Sequence, residues 1–566
     1  MGDPWEFPHT NVEAAENLRK KLGCLPVIAQ ILWRRGYRDP EVAEAFLSPL
    51  KQPIPIVRDL TDLPAAVDRI RIAKEREEYV RVFADYDVDG VSAAAIMLRA
   101  LRRLGITRVD CYVPERETDG YGISAQHVHR AAEAGVNLIV TVDNGITAHD
   151  AAETANELGV DMIITDHHHA EAKIPRAFAC VNPKRDGDGH AFQNVAGSTV
   201  AWIVANELTG NAEDDLALVA LGTVADVMPL IGVNRTLVAH GLHKLSLGTF
   251  MGITALAGKA GVDLRELRAE HIAFQLAPRL NAAGRMGCAR SALDLLLAEE
   301  SRDAARLSRT LDEANAARRE LERAIEEKVT TRLEADLSPK SRTIVVGDRG
   351  WPRGVLGIVA AKVAEKYNRP AALLSFDDNG LAYASARSRP GFDLIEALTQ
   401  CSGRLIKYGG HQGAAGFTIS QEQIAAFSVE FERTAARQAW DASSAAIEVD
   451  AILPLAAIDG ELLRGVEQLG PFGQGNPDPI FCTCGVKIPP ASVRRYNGGH
   501  LGLSVEDEGR QFPAIGFRMG DLIDSLQSER TRYDVLYRPK YHTFRGRTSI
   551  QLQIQSIRRQ DAGIAF

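Results

Sequence analysis

The run Val82-Phe83-Ala84-Asp85-Tyr86-Asp87-Val88-Asp89-Gly90-Val91-Ser92 decides how the rest of the chain is read. The mostly apolar residues from Val80 to Ala84 predict a buried strand. Val91 to Leu104 has helical periodicity and ends in Arg102-Arg103-Leu104-Gly105. Asp85, Asp87 and Asp89 therefore stand at the carboxyl end of a strand, where open α/β sheets hold their ligands. In extended backbone the three would point to one side. Like charges held that close repel, and a cation between them removes the conflict.

Two other readings compete for this run. An EF-hand calcium loop fits Asp85, Asp87, Asp89 and Gly90, but Ile96 stands where the bidentate Glu belongs and the preceding flank reads as strand. An aspartyl-phosphate nucleophile of the haloacid-dehalogenase type fits Asp87-Val88-Asp89-Gly90-Val91 after a strand. A Mg or Mn cluster suits a carboxylate stack at a strand end, and the neighbouring segments bear on the choice.

Outward from that run the chain alternates strand and helix. Val109 to Val113 and Val136 to Val142 read as strands, the second followed by Asp143-Asn144-Gly145-Ile146 and a helix from Thr147 to Leu158. Val160 to Ile164 is another strand, ending in Thr165-Asp166-His167-His168-His169. Such βα units predict a doubly wound parallel sheet with ligands converging along one edge. A surface histidine cluster often has no role. This one shares the topological position of the two acidic motifs, and neutral imidazole is a natural metal ligand or proton donor. Leu216 to Leu230 reads as an apolar helix carrying one acid, Asp226, a further contributor to a carboxylate-rich site for two divalent ions.

The bulk numbers set outer limits. At 566 residues and 45% hydrophobic, the chain predicts roughly three to four soluble domains. No apolar stretch is long enough to span a membrane. The start, Met1-Gly2-Asp3-Pro4-Trp5-Glu6, reads as neither a signal peptide nor a myristoylation site. Seven scattered cysteines predict reduced thiols in a cytoplasmic protein. The net charge of −8 argues at first against nucleic acid, but a binding face needs only local positive potential. The segment after Pro490 supplies it, with Arg494, Arg495, Arg518, Arg532, Arg538, Lys540, Arg545, Arg547, Arg558 and Arg559.

Taken together, Asp85-Tyr86-Asp87-Val88-Asp89-Gly90, Val142 to Ile146, Asp166-His167-His168 and Gly222-Thr223-Val224-Ala225-Asp226 resemble the four motifs of the DHH phosphoesterase superfamily. Further stretches resemble one branch of it, the RecJ family of single-strand-specific exonucleases. These are Tyr112 to Arg116 with Gly120-Tyr121-Gly122, Ala277 to Arg285, Gly354 to Ala360, Ser385 to Ser388, Gly409-Gly410-His411 and Gly470 to Pro477. The resemblance runs nearly end to end in the family's motif order. It implies a binuclear site of Mn2+ or Mg2+ held by Asp87, Asp89, Asp143, His167 and Asp226, with Asp85 in or beside it. Asp143 would bridge the ions and His168 would sit beside the scissile phosphate. It also implies degradation of single-stranded DNA from the 5′ end to nucleoside 5′-monophosphates in repair and recombination. A single-strand-binding protein and a helicase are the expected partners, and a monomer the expected state. The chain departs from the pattern at Phe83, where some relatives carry a metal-ligating His, at Ala84 for a common Gly, and at Pro352-Arg353 after Trp351.

The expected organisation is an α/β fold in five parts. Residues 1–74 would be a helical segment packing on the catalytic core, 75–300 a DHH domain, 301–340 a connecting helix, 341–440 a smaller α/β DHH-associated lobe, and 446–566 an OB-fold β-barrel. Ser385 and Arg387, with Arg116, are candidates for gripping a terminal 5′-phosphate, because the planar guanidinium fork matches phosphate. His411 beside Gly409 and Gly410 could join them. Tyr121, Arg279, Asn281 and Arg285 are candidate strand contacts. In the last domain Tyr496, Phe512, Phe517, Tyr537, Tyr541 and Phe544 interleave with the basic residues, a mixture suited to stacked bases on a tracked backbone. Two rivals remain: a DHH phosphodiesterase of short oligonucleotides or cyclic dinucleotides, and a non-catalytic replication scaffold that should have lost its metal ligands.

Overall fold

The structure, a computed structural model, describes residues 4–7, 11–115, 119–120, 122–185, 190–338, 340–438, 440, 446–526, 531–544 and 546–560. The chain divides into two compact units, Ile54–Ser443 and Met1–Pro53 with Ser444–Phe566.

In the first unit, β1 (Val80–Ala84), β2 (Val109–Tyr112), β3 (Leu138–Val142), β4 (Asp161–Thr165) and β5 (Ala179–Val181) form an all-parallel sheet in the order β2-β1-β3-β4-β5. The chain reverses direction of winding between β1 and β3, and a crevice opens at such a switch point. Strand residues alternate between two cores, as a period of two dictates. Val80, Val82 and Ala84 bury with helix α1 (Val88–Leu104) on one face, while Phe83, Ile139, Met162 and Ile164 bury under the helices Ala125–Glu133 and His149–Leu158 on the other. Beyond the sheet, α2 (Gly197–Thr209) and the apolar α3 (Leu216–Ala225) pack on α1.

Helix α4 (Ala277–Arg285) leads towards the 36-residue α5 (Ser301–Asp336), which reaches into a second lobe. There β6 (Ile344–Arg349), α6 (Arg353–Tyr367), β7 (Ala371–Phe376), β8 (Leu381–Arg387), β9 (Lys407–Gly410) and β10 (Ala414–Ser420) build a mixed sheet ordered β9-β10-β8-β7-β6. Its one face carries Ala371 and Leu373 against α5 and α6; the other carries Ala372, Leu374 and Phe417 under two later helices. The stripe of α5 contributes Leu307 and Leu311 to the catalytic core and Ile325, Val329 and Leu333 to the second lobe, so one helix joins both.

The second unit is a seven-stranded sheet from Ala451–Ile452 to Arg547–Arg559, with two long antiparallel strands, Tyr533–Phe544 and Arg547–Arg559, at its centre. The expectation that residues 1–74 pack on the catalytic core is corrected here. The helices Val12–Leu22, Pro26–Arg34 and Pro40–Leu47 bury Leu18, Ile28, Ile31, Leu32 and Phe46 with Leu462, Leu463 and Val466 of the C-terminal unit. Gly465 lets Ile28 come close: a Cβ there would lie 3.0 Å from its Cγ1. Arg34 donates to the Val449 carbonyl at 2.9 Å, and Arg35 to Asn476 and to the Pro477 carbonyl at 2.7 Å each. The apolar stripe was readable, but its partner lies some four hundred residues away, beyond any local pattern. The part from Ile54 onward belongs to the catalytic core, through Val57 and Leu60 and, in the helix Leu63–Glu75, Leu63, Ala66, Val67 and Ile70.

Candidate metal centre

The first acidic run does not stay extended. Asp87 is the N-cap of α1, its Oδ1 accepting the Gly90 N–H at 3.0 Å, and Asp89 already lies in the first helical turn. The expected strand-like alternation of the three aspartates is therefore replaced by a tight turn, because capping satisfies an orphan N–H of the helix. Gly90 is required there: a Cβ would stand 2.6 Å from the Asp85 carbonyl oxygen. Asp89 serves a second helix as well. The N-cap of α2 is Ala196, whose methyl group can accept no hydrogen bond, and Asp89 accepts from Gly197 N at 2.6 Å and Ser198 N at 2.9 Å instead. A carboxylate at a helix N-terminus is favoured by the exposed amides and the dipole.

Asp143 follows β3 with φ +62°, a left-handed conformation that Asp tolerates better than most residues. Asn144 holds that turn, its Nδ2 donating to the carbonyls of Phe83 at 3.2 Å and Val142 at 2.9 Å, so the ends of β1 and β3 are tied. Asp166, past β4, accepts from Ile146 N, His167 N and His168 N at 3.0, 2.7 and 3.1 Å and from His168 Nδ1 at 2.7 Å. Asp226 is the C-cap of α3, and the next residue, Val227, is β-branched with φ +56°, a strained position beside a site.

These elements bring His167 Nε2 to 3.1 Å from Asp143 Oδ1, 3.6 Å from Asp226 Oδ2 and 3.8 Å from Asp89 Oδ2. Three donor groups have their ligand atoms within 4.8 Å of one another: Asp85 with Asp87 and Asp143, Asp89 with His167 and Asp226, and Asp143 with His167 and His168. All six expected ligands are thus gathered at one sheet edge, with Asp143 common to two groups and His167 to two. The charges are poorly satisfied by protein alone. Asp143 Oδ1 and Asp226 Oδ2 are buried without a hydrogen-bond partner among the described residues. Burial first, then Asp89, Asp87 and Asp85, push the Asp143 carboxyl well above its ordinary range. Burial, then Asp89 and Asp87, raise Asp226 to about 8. Burial keeps the His167 imidazole neutral, the form that ligates metal. Hard oxygen donors with one imidazole, and carboxylates unable to ionise together, fit a pair of divalent cations. His168 differs: burial opposes its charge, but the Asp166 hydrogen bond together with the charges of Asp166, Asp226 and Asp85 outweighs that and holds it up to about 9.

Helix α4 links this edge to the second lobe. Asn281 Oδ1 accepts Val88 N at 3.1 Å, and Gly284 packs so close that a Cβ would meet the Tyr86 carbonyl at 2.8 Å. Arg285 donates to the Gly354 carbonyl at 2.8 Å, in the first turn of α6. One turn on, Gly357 lies against the Arg387 guanidinium, where a Cβ would be 2.6 Å from Nη2. Ser385 and Arg387 share a face of β8 with Tyr383, over which the Arg353 guanidinium sits at 3.2 Å. Arg279 is turned to Asp312 of α5 at 2.8 Å and to the Gln275 carbonyl. His411 is exposed after β9, its Nδ1 accepting Gly413 N. Arg116 and Tyr121 lie outside the described residues. Phe83, at the departure from the pattern, is buried and stacked on Tyr112 at 5.3 Å. In the C-terminal unit Tyr496, Phe517 and Tyr541 are exposed, with Arg494, Arg495 and Arg518 alongside in sequence; Tyr537 is core and Phe512 packs on it.

The expected ligands are oriented by groups that the sequence pattern did not single out: Asp166, Asn144, and the Gly197 and Ser198 amides. Asp166 carried a signal, an acid at a strand end, but its role depends on four contacts that only folding creates.

The fold and the site together define a metal-centred DHH phosphoesterase. The DHH family N-terminal domain matches residues 79–223, the DHHA1 domain residues 340–437, and the RecJ OB domain residues 449–556. The chain belongs to the RecJ family of single-stranded-DNA-specific exonucleases. It is 31% identical to the Haemophilus influenzae member over 560 residues, 94% of this chain and 96% of that protein. Identity to the Bacillus subtilis member is 34% over 525 residues, 92% of this chain but 66% of that longer protein. The crystal structure of RecJ in complex with Mn2+ from Thermus thermophilus matches with a TM-score of 0.85 at 29% identity, covering 99% of this chain and 81% of that one.

Proposed function

We propose that this protein hydrolyses single-stranded DNA from its 5′ end, releasing nucleoside 5′-monophosphates, with two Mn2+ or Mg2+ ions bound at the carboxylate edge. The observation that carries the reading is the buried, unpartnered oxygen set of Asp143 and Asp226 around His167. Asp85, Asp87, Asp89, Asp143, His167 and Asp226 would hold the ions. Bound there, they would activate a water and neutralise charge on the attacked phosphodiester.

The chain's own residues supply the rest. The water oxygen bonds to phosphorus, the P–O3′ bond breaks, and its electron pair goes to O3′, which takes a proton. His168 suits that donation, since the Asp166 carboxylate at its Nδ1 helps to keep the ring protonated. Ser385 and Arg387, joined to the metal loop through Gly354, Arg285 and Gly284, would grip the terminal 5′-phosphate. The exposed aromatics and arginines of the C-terminal unit would carry the trailing strand. Partnership with a single-strand-binding protein and a helicase, and a cytoplasmic location, belong to the same reading; among the described residues no helix is long and apolar enough to cross a membrane.

The test is incubation of the purified protein and Mn2+ with 5′-labelled single and double strands. Mononucleotide release from single strands alone is expected. Cleavage restricted to dinucleotides, or label released last, would overturn it.

A further inference from the structure

The short turn after β5, Asn182-Pro183-Lys184-Arg185, leaves the same sheet edge as the metal-ligand loops. Asn182 is fully buried and ties two backbone points together: Nδ2 donates to the His168 carbonyl at 2.9 Å, and Oδ1 accepts Lys184 N at 2.9 Å. Lys184 is therefore fixed in register with the histidine motif. The two cations of this turn differ. Arg185 is spent on the Asp62 carboxylate at 2.9 Å and on the Cys180 carbonyl. Lys184 is half-buried and makes no ion pair among the described residues, although Asp166 and Asp226 lie near enough to act on its charge. Burial pulls its pKa below the ordinary lysine value. A cation that has lost part of its hydration without a close anion is costly to keep, unless an anion arrives.

We propose that the Lys184 ammonium is a ligand of the substrate's scissile phosphate, flanking the metal cluster on its β5 side. The assignment rests on the phosphodiesterase reading above. An ammonium is a compact point charge, suited to one non-bridging oxygen rather than to the two-point grip expected of Arg387. It adds cationic stabilisation where charge develops on phosphorus oxygens. The rival explanation is a counter-ion that only relieves repulsion among Asp166 and Asp226.

Lys184→Met and Lys184→Arg separate the two. Three quantities are measured: steady-state cleavage of single strands, Mn2+ affinity, and calorimetric binding of inorganic phosphate to the Mn2+-loaded protein. We expect Lys184→Met to lower kcat/KM by roughly tenfold to hundredfold, to weaken phosphate binding and to leave Mn2+ affinity unchanged, with Lys184→Arg restoring much of the loss. A shift confined to Mn2+ affinity and metal-free melting temperature, with phosphate binding intact, overturns the proposal in favour of the counter-ion. Wild-type protein inactive on single strands would sink the exonuclease reading alone, since phosphate binding would still decide the role of Lys184.

Discussion

At the amino-terminal edge of the catalytic sheet, the Arg69 guanidinium meets Glu78 at 2.7 Å and Asp161 at 2.6 Å, and Arg81 grips Asp110 at 2.9 and 2.7 Å. At the carboxyl edge of the same strands, Asp143 and Asp226 meet the His167 imidazole and face other carboxylates, and burial with the charges of Asp89 and Asp87 pushes both carboxyls up. Asp161 and Asp166 bracket one strand, five residues apart, and fall on opposite sides of this divide. The paired edge closes its electrostatics within the protein and contributes to stability. The other edge stores a conflict that a bound cation resolves, and such perturbed groups mark functional sites. Burial alone does not distinguish structure from function; what each charge faces does.

The contrast breaks most visibly at Asp143. Asn tolerates the left-handed backbone there, so Asp143→Asn should fold normally while losing about a thousandfold in single-strand cleavage, because metal assistance is worth several kcal/mol. Single-turnover assays read this, and a variant within tenfold of wild type would show the edge is not the centre. The opposite edge should respond in stability alone. Arg69→Met removes the guanidinium shared by Glu78 and Asp161, leaving the half-buried Glu78 only Arg76 at 3.7 Å, and should cost about 3 kcal/mol, measured by denaturant unfolding. Cleavage at low temperature should stay near wild type.

Asp166 lies between the two regimes, a paired acid serving an unpaired cluster. Asp166→Asn should reduce activity about tenfold to hundredfold, as loss of an orienting partner does. Its pH profile is the sharper readout. His168 is held at about 9 by Asp166, so without that carboxylate the alkaline limb should move to lower pH; an unmoved limb would remove His168 as proton donor.

The smallest effect is in the metal-free state. The folded carboxyl of Asp226 is raised from its ordinary 3.8 to about 8. Its contribution is present at acid pH and lost as pH rises through the folded value. In chelator, Asp226→Asn should therefore melt a few degrees above wild type at pH 8.5, the gap closing towards pH 5. Saturating Mn2+ should reverse the order at pH 8.5. Equal melting curves throughout would mean the repulsion is relieved within the protein.

Much of this was legible beforehand because it is local. A strand period of two, a helix period of 3.6 and acids just past apolar runs are properties of neighbouring residues, and they sufficed for the parallel sheet and the long connecting helix, while the set of six candidate ligands came from the family resemblance. The parts misread are those where a distant group changes the local answer. Asp89 leaves the extended array because the α2 amides of Gly197 and Ser198 need an acceptor. The first fifty residues leave the catalytic core because their apolar stripe finds the helix Gly460–Gln468.

The amino-acid order by itself determined which residues could hold cations and which elements would carry them. Only the tertiary structure decided that Asp143 and His167 are each shared between donor groups, that Asp166 fixes the histidine pair, and that Asn281, Gly284 and Arg285 connect the metal loop to the second lobe. Those facts depend on distances of about 3 Å between residues far apart in the chain. Such distances are set by the packing of whole elements, not by any property of the residues taken in sequence.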